Sequence, residues 1–131
     1  MNLISQPTAD QSSWSLPAWT YHDADFMALE KAHVFMPAWH LVCHVADIPK
    51  PGDYQTFAMM GERALVVRGR DGQVRAFHNS CRHRGSRICS KTSGQAVKLV
   101  CPYHQWTYDL KGRLQGVPFR RGVAGKGGAR F

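Results

Sequence analysis

Residues 54–79 run YQTFAMM (54–60), GE (61–62), RALVVRG (63–69), RDGQ (70–73) and VRAFHN (74–79). Short runs rich in Val, Phe and Tyr alternate with turn-favouring residues, the pattern of strands joined by hairpins. Asp71-Gly72 is a two-residue hairpin signal between the second and third runs. Upstream, WHLVCHV (39–45) reads as another strand and is closed by PKPGD (49–53). Downstream come AVKLVC (96–101) and QWTYDL (105–110), with a turn at Lys111-Gly112. The expected fold is therefore mainly β: a small antiparallel β-sandwich or barrel. One helix precedes it. Asp23 can cap this helix, Phe26, Leu29, Ala32, His33 and Met36 share a face, and Pro37 stops it. Residues 1–37 thus form a Pro/Ser-rich extended arm and a helix, and residues 38–118 form the β domain. Residues 119–131 form a basic, Gly-rich tail, read as a disordered terminus or as the scar of a truncated or frame-shifted longer protein.

The chain has 131 residues, enough for one domain with its own core. No apolar run approaches the length of a membrane span, and the first twenty residues lack the basic start and apolar block of a secretory signal. The expected compartment is the cytoplasm, with no membrane partner. In a reducing compartment the 4 cysteines suggest a metal site before disulfides. The net charge is +8, but much of it sits in the tail and the rest surrounds the cysteines. No aromatic-basic alternation suited to stacking nucleic-acid bases accompanies it, so nucleic acid is not an expected partner.

The chemistry concentrates in two short stretches, Cys81-Arg-His83-Arg-Gly85 and Cys101-Pro-Tyr-His104-Gln-Trp106. Two sulfur and two nitrogen donors fit a structural zinc site, or a Rieske centre with two Cys on one iron and two His on the other. Zinc-ligand pairs within one loop are commonly two to four residues apart. A single residue separates Cys81 from His83, which suits ligands to different irons. Each loop then donates one thiolate and one imidazole, and Gly85 allows close backbone approach. Cys43, placed mid-strand, and Cys89 read as packing residues. His40, His44 and Asp47 superficially resemble a mononuclear iron triad, but on a strand residues four apart are separated by about 13 Å. His78 reads as a strand-end residue beside the first loop.

CRHRG with CPYHQW resembles the Rieske signature, and the resemblance runs from about Trp19 to Pro118. Respiratory Rieske proteins carry a disulfide between positions that here are Ser86 and Tyr103. The sequence instead resembles the N-terminal domain of the large (α) subunit of aromatic ring-hydroxylating and related Rieske non-haem iron oxygenases. HNSCRHRGSRIC and LVCPYHQWTYDLKGRL resemble members that oxidise quaternary ammonium compounds. The resemblance implies a [2Fe–2S] cluster on Cys81, His83, Cys101 and His104, fed by a reductase or ferredoxin. It also implies mononuclear Fe(II) in an oxygenase catalytic domain that this chain lacks, so no catalytic residue is assigned here. The full-length family form, a dioxygenase or monooxygenase, is compatible with a homo-oligomer. Arg82, Arg84 and Arg87 read as favouring the reduced cluster, docking an acidic donor or simply lining a solvated loop. Tyr103 and Trp106 read as packing residues with a secondary role shielding the cluster. The rival readings are a free-standing Rieske-type ferredoxin and a zinc module.

Overall fold

Asp23 starts the only α-helix among the described residues. Its carboxylate accepts the Phe26 N–H at 2.7 Å, and α1 (Ala24–Glu30) follows. The structure is a computed structural model describing residues 15–118. It divides into two contact units, the first ending at Trp39 and the second beginning at His40. In the first unit α1 runs on as a π-helical turn, Lys31–Phe35. The wider i→i+5 bonding turns the face away from a 3.6-residue period. Phe26, Glu30, Lys31 and Phe35 are half-buried, whereas the expected Leu29, Ala32, His33 and Met36 are exposed. A 3₁₀ turn, Ala18–Tyr21, precedes α1, and Trp19 meets Phe26 edge-on at 5.2 Å.

The expectation of a strand at 39–45 is corrected by the structure. Residues 39–44 are irregular and lead into a 3₁₀ turn, Val45–Asp47. His44 Nδ1 accepts the Ala46 N–H at 3.1 Å, and Asp47 Oδ2 accepts the His44 N–H at 2.9 Å. These side-chain bonds offer the backbone an alternative to a ladder. Cys43 is consequently a half-buried loop residue rather than a mid-strand one. Arg68 fastens the segment, donating to the carbonyls of Ile48, Val45 and Gly72.

The sheets follow the periodicity more closely. β1 (Asp53–Met59), β2 (Glu62–Arg68), β3 (Val74–His78) and β4 (Ser93–Gln95) form an antiparallel sheet in the order β3-β2-β1-β4. β5 (Leu99–Val100), β6 (Thr107–Tyr108) and β7 (Leu114–Gly116) form the second. The two-residue hairpin falls at Met60-Gly61, where both φ angles are positive, as a type I′ turn requires. The β2–β3 connection is longer than expected: Gly69 N–H donates to the Gln73 carbonyl and Gly72 N–H to the Gly69 carbonyl. β4 is a three-residue edge strand with no buried side chain, so it leaves no hydrophobic pattern in the sequence. Between the sheets lie Tyr54, Leu65, Val67, Ile88, Cys89, Leu99, Tyr108 and Leu110, together with Cys81 and Cys101.

Candidate metal centre

The two Cys/His loops are the same turn built twice. In the first, Cys81 N–H donates to the Ser86 carbonyl (2.8 Å) and Gly85 N–H returns a bond to the Cys81 carbonyl (2.8 Å). In the second, Cys101 N–H donates to Trp106 (2.9 Å) and Gln105 N–H to Cys101 (3.0 Å). The residue four after each cysteine takes a left-handed conformation: Gly85 at φ +68° and Gln105 at φ +56°. Glycine does this without steric cost; glutamine does not. The first loop leaves the end of β3 and the second joins β5 to β6.

The loops bring the four expected donors together in two like pairs. The Cys81 and Cys101 thiols are within hydrogen-bonding reach of each other, and both residues are buried. The His83 and His104 rings lie 4.6 Å apart between centroids. Among the described residues no three His, Cys, Asp or Glu side chains gather around a single ion position. A tetrahedral zinc needs four donors at one point, whereas two irons need two each. His104 Nδ1 is buried and has no hydrogen-bond partner in the protein. Such an atom is costly unless something outside the polypeptide satisfies it. The residues present fit a two-iron centre with mixed ligands.

The electrostatics prepare the ligand forms. Burial pushes the Cys101 thiol up, but the N–H groups of Tyr103 and His104 and the side chains of Cys81 and Ser86 outweigh it, leaving the thiol below its usual range. Burial, then the charges of His83 and Arg84, push the His104 imidazole down, towards the neutral form that binds metal. Trp106 stacks parallel on His83 at 4.8 Å, and Tyr103 covers His104 at 3.8 Å. Arg82, Arg84 and Arg87 are exposed and form no ion pair among the described residues.

Other candidates lie apart from this group. Cys89 packs in the core with its thiol against the Tyr54 hydroxyl; burial raises its pKa and Tyr54 offsets part of the rise, for a net value of about 11. His44 and Asp47 cap a 3₁₀ turn, and His40 stacks on Phe57 at 6.1 Å. His78 closes β3. Two supporting residues escape the motif-level reading. Asn79, 2% exposed, donates to the Cys89 carbonyl and accepts from Ile88 and Cys89, fixing the chain that leaves the first loop. The Tyr108 hydroxyl lies 3.3 Å from Cys81 Sγ and accepts the Arg82 N–H at 3.2 Å. An Asn beside a turn and an inward Tyr on a strand are the signals that could have flagged them.

Fold and site define a class: small two-sheet β domains whose paired loops present two thiols and two imidazoles, a donor set for a mixed Cys/His iron–sulfur centre. The chain belongs to the Rieske [2Fe–2S] domain family, whose model matches residues 38–125. It is 48% identical over 104 residues to the glycine betaine monooxygenase oxygenase subunit of Chromohalobacter salexigens, covering 79% of this chain and 23% of that protein. Among solved structures it is similar to the quaternary ammonium Rieske monooxygenase CntA in its apo form. That match has a TM-score of 0.78 and 35% identity, and covers 85% of this chain and 32% of CntA. Naphthalene 1,2-dioxygenase from Rhodococcus sp. matches with a TM-score of 0.75 and 36% identity, over 83% of this chain and 25% of that one. The chain spans about a quarter of the length of the curated relatives it matches.

Proposed function

We propose that this chain is the electron-transfer domain of a Rieske oxygenase large subunit. Its role is to pass single electrons from a reductase or ferredoxin to the mononuclear iron of an oxygenase catalytic domain. Cys81 and Cys101 hold one iron of the cluster; His83 and His104 hold the other. When bound, the cluster supplies reversible one-electron storage, and two imidazoles in place of two thiolates favour reduction. The polypeptide supplies the setting. The two turns aim the donors, Tyr108 hydrogen-bonds a ligand sulfur, Trp106 and Tyr103 cover the imidazoles, and the three loop arginines offer an acidic donor a docking face. The observation that carries this reading is the buried, unpartnered Nδ1 of His104 beside a like pair of imidazoles and a like pair of thiols. For the full subunit we propose a quaternary ammonium substrate, supported by the names of the betaine and CntA relatives; an aromatic substrate is the competing outcome.

The test is iron and acid-labile sulfide analysis of the purified chain with electron paramagnetic resonance of its reduced form. We expect two of each per chain and a low average g-value. Replacing Cys81, Cys101, His83 or His104 removes the signal, whereas Cys43→Ser and Cys89→Ser retain it. Loss of the centre in a folded Cys89→Ser variant would mean that the ligands are assigned wrongly. In the full-length subunit, NADH- and O₂-dependent release of a tertiary amine and an aldehyde from glycine betaine or carnitine, rather than ¹⁸O incorporation into an aromatic ring, decides the substrate class.

A further inference from the structure

A second site lies at the other end of the β domain from the ligand loops. Arg68 pairs with Val74 and Ala64 with His78, so the β2–β3 turn is separated from the first ligand loop by the length of β3. The β6–β7 turn likewise lies beyond β6 from the second. Between these turns is a cleft of about 250 Å³, lined by Arg70, Val97, Lys98, Leu110, Lys111 and Arg113, with Asp109 and Gln115 completing it. Its charges are unequally matched. Lys111 is paired with Asp71 of the β2–β3 turn (3.0 Å), which Arg75 shares (2.9 Å). Asp109 is occupied by Arg113 Nε (2.9 Å), the N–H groups of Lys111 and Arg113, and Gln115 Nε2. Arg70 and Lys98 have no hydrogen bond or ion pair among the described residues. Four cations thus line the cleft with one carboxylate, Asp109, that is already in use.

We propose that this cleft binds a phosphate-type dianion between Arg70 of the β2–β3 turn and Lys98 and Arg113, which directly precede β5 and β7. Guanidinium forks suit a tetrahedral oxyanion with several acceptor oxygens, and an ammonium adds a point charge. A dianion answers the excess of positive charge better than chloride or a single carboxylate. Val97 and Leu110 provide an apolar wall for an organic substituent, so a phosphomonoester and free phosphate share the chemistry. Bound there, the anion joins the two sheets at the end where Asp71 and Lys111 already bridge them. The inference is independent of the cluster assignment.

The experiment is thermal unfolding of the metal-loaded chain, followed by circular dichroism. Inorganic phosphate is titrated against sodium chloride of equal ionic strength, with phenyl phosphate as a second arm. We expect a saturable rise of several degrees in phosphate that chloride does not reproduce. The rise is lost in the Arg70→Ser/Lys98→Ser double variant, whose altered residues are exposed and unpaired and whose native spectrum is checked first. Tighter binding of phenyl phosphate would assign the site to monoesters, and equal binding to the free ion. An equal rise in chloride, or an undiminished rise in the double variant, overturns the proposal.

Discussion

Tyr108 is engaged on both sides of its hydroxyl. The Arg82 N–H occupies a lone pair, which leaves the phenolic proton for the Cys81 sulfur. Burial first, and then Cys81, push the phenol well above its ordinary range, so it remains a donor. A hydrogen bond to a ligand sulfur is stronger when that sulfur carries more negative charge, and so favours the reduced centre. Tyr108→Phe keeps the ring and removes the donor. The expected result is an intact visible spectrum and a reduction potential lower by roughly 40 mV, the equivalent of about 1 kcal/mol for one electron; a redox titration checks it. Gln105 makes a different case. Its left-handed backbone is uncommon for a residue with a side chain and costs about 1 kcal/mol or more. Gln105→Gly relieves that strain and loses some of the gain to a more flexible unfolded chain. The expected net is a stabilisation of about 0.5 kcal/mol, read from the denaturant midpoint.

At the scale of elements, stability is distributed unevenly. β2 is central, paired on both edges, with Leu65 and Val67 fully buried, whereas α1 buries no residue. Local opening is cheapest where few apolar contacts are lost. Hydrogen exchange followed by NMR should therefore find the slowest amides in β2, and amides of Ala24–Glu30 exchanging at least about a hundredfold faster. The elements with buried, alternating or β-branched runs were the legible ones: β1, β2 and β3 lie where their residues indicate, and Asp23 caps as expected. WHLVCHV misled because its composition suits a strand while His44 and Asp47 bond their own backbone. The helix face was misplaced because a π turn leaves no mark in apolar spacing. At the candidate site the four donors were legible as local motifs. Asn79 and Tyr108 were not, since their roles depend on which distant segment the fold brings beside them.

For the whole molecule, acid is the informative stress. Hydrogen bonds from Arg75 and Lys111 hold the Asp71 carboxyl well below its usual value of 3.8. Burial opposes the same shift at Asp109, but bonds from Arg113 and Lys111 prevail and its pKa is also lowered. A carboxylate with a depressed folded-state pKa contributes stability that is complete above its unfolded pKa and is lost as pH falls through the folded one. Unfolding free energy from urea titrations should accordingly be insensitive to these groups above about pH 5 and decline below about pH 4. Asp71→Asn should be less stable at pH 6 and show a shallower decline on acidification.

The grip of Arg68 on residues 45–48 obeys another rule. Its guanidinium is met by three carbonyl oxygens, none of which takes up a proton in this range. Acid therefore acts unequally on one end of the β domain. The carboxylate links of Asp71 and Asp109 are released, while the Arg68 bonds to Val45, Ile48 and Gly72, beside the same β2–β3 turn, stay made. The turn that acid loosens on one side is still moored on the other.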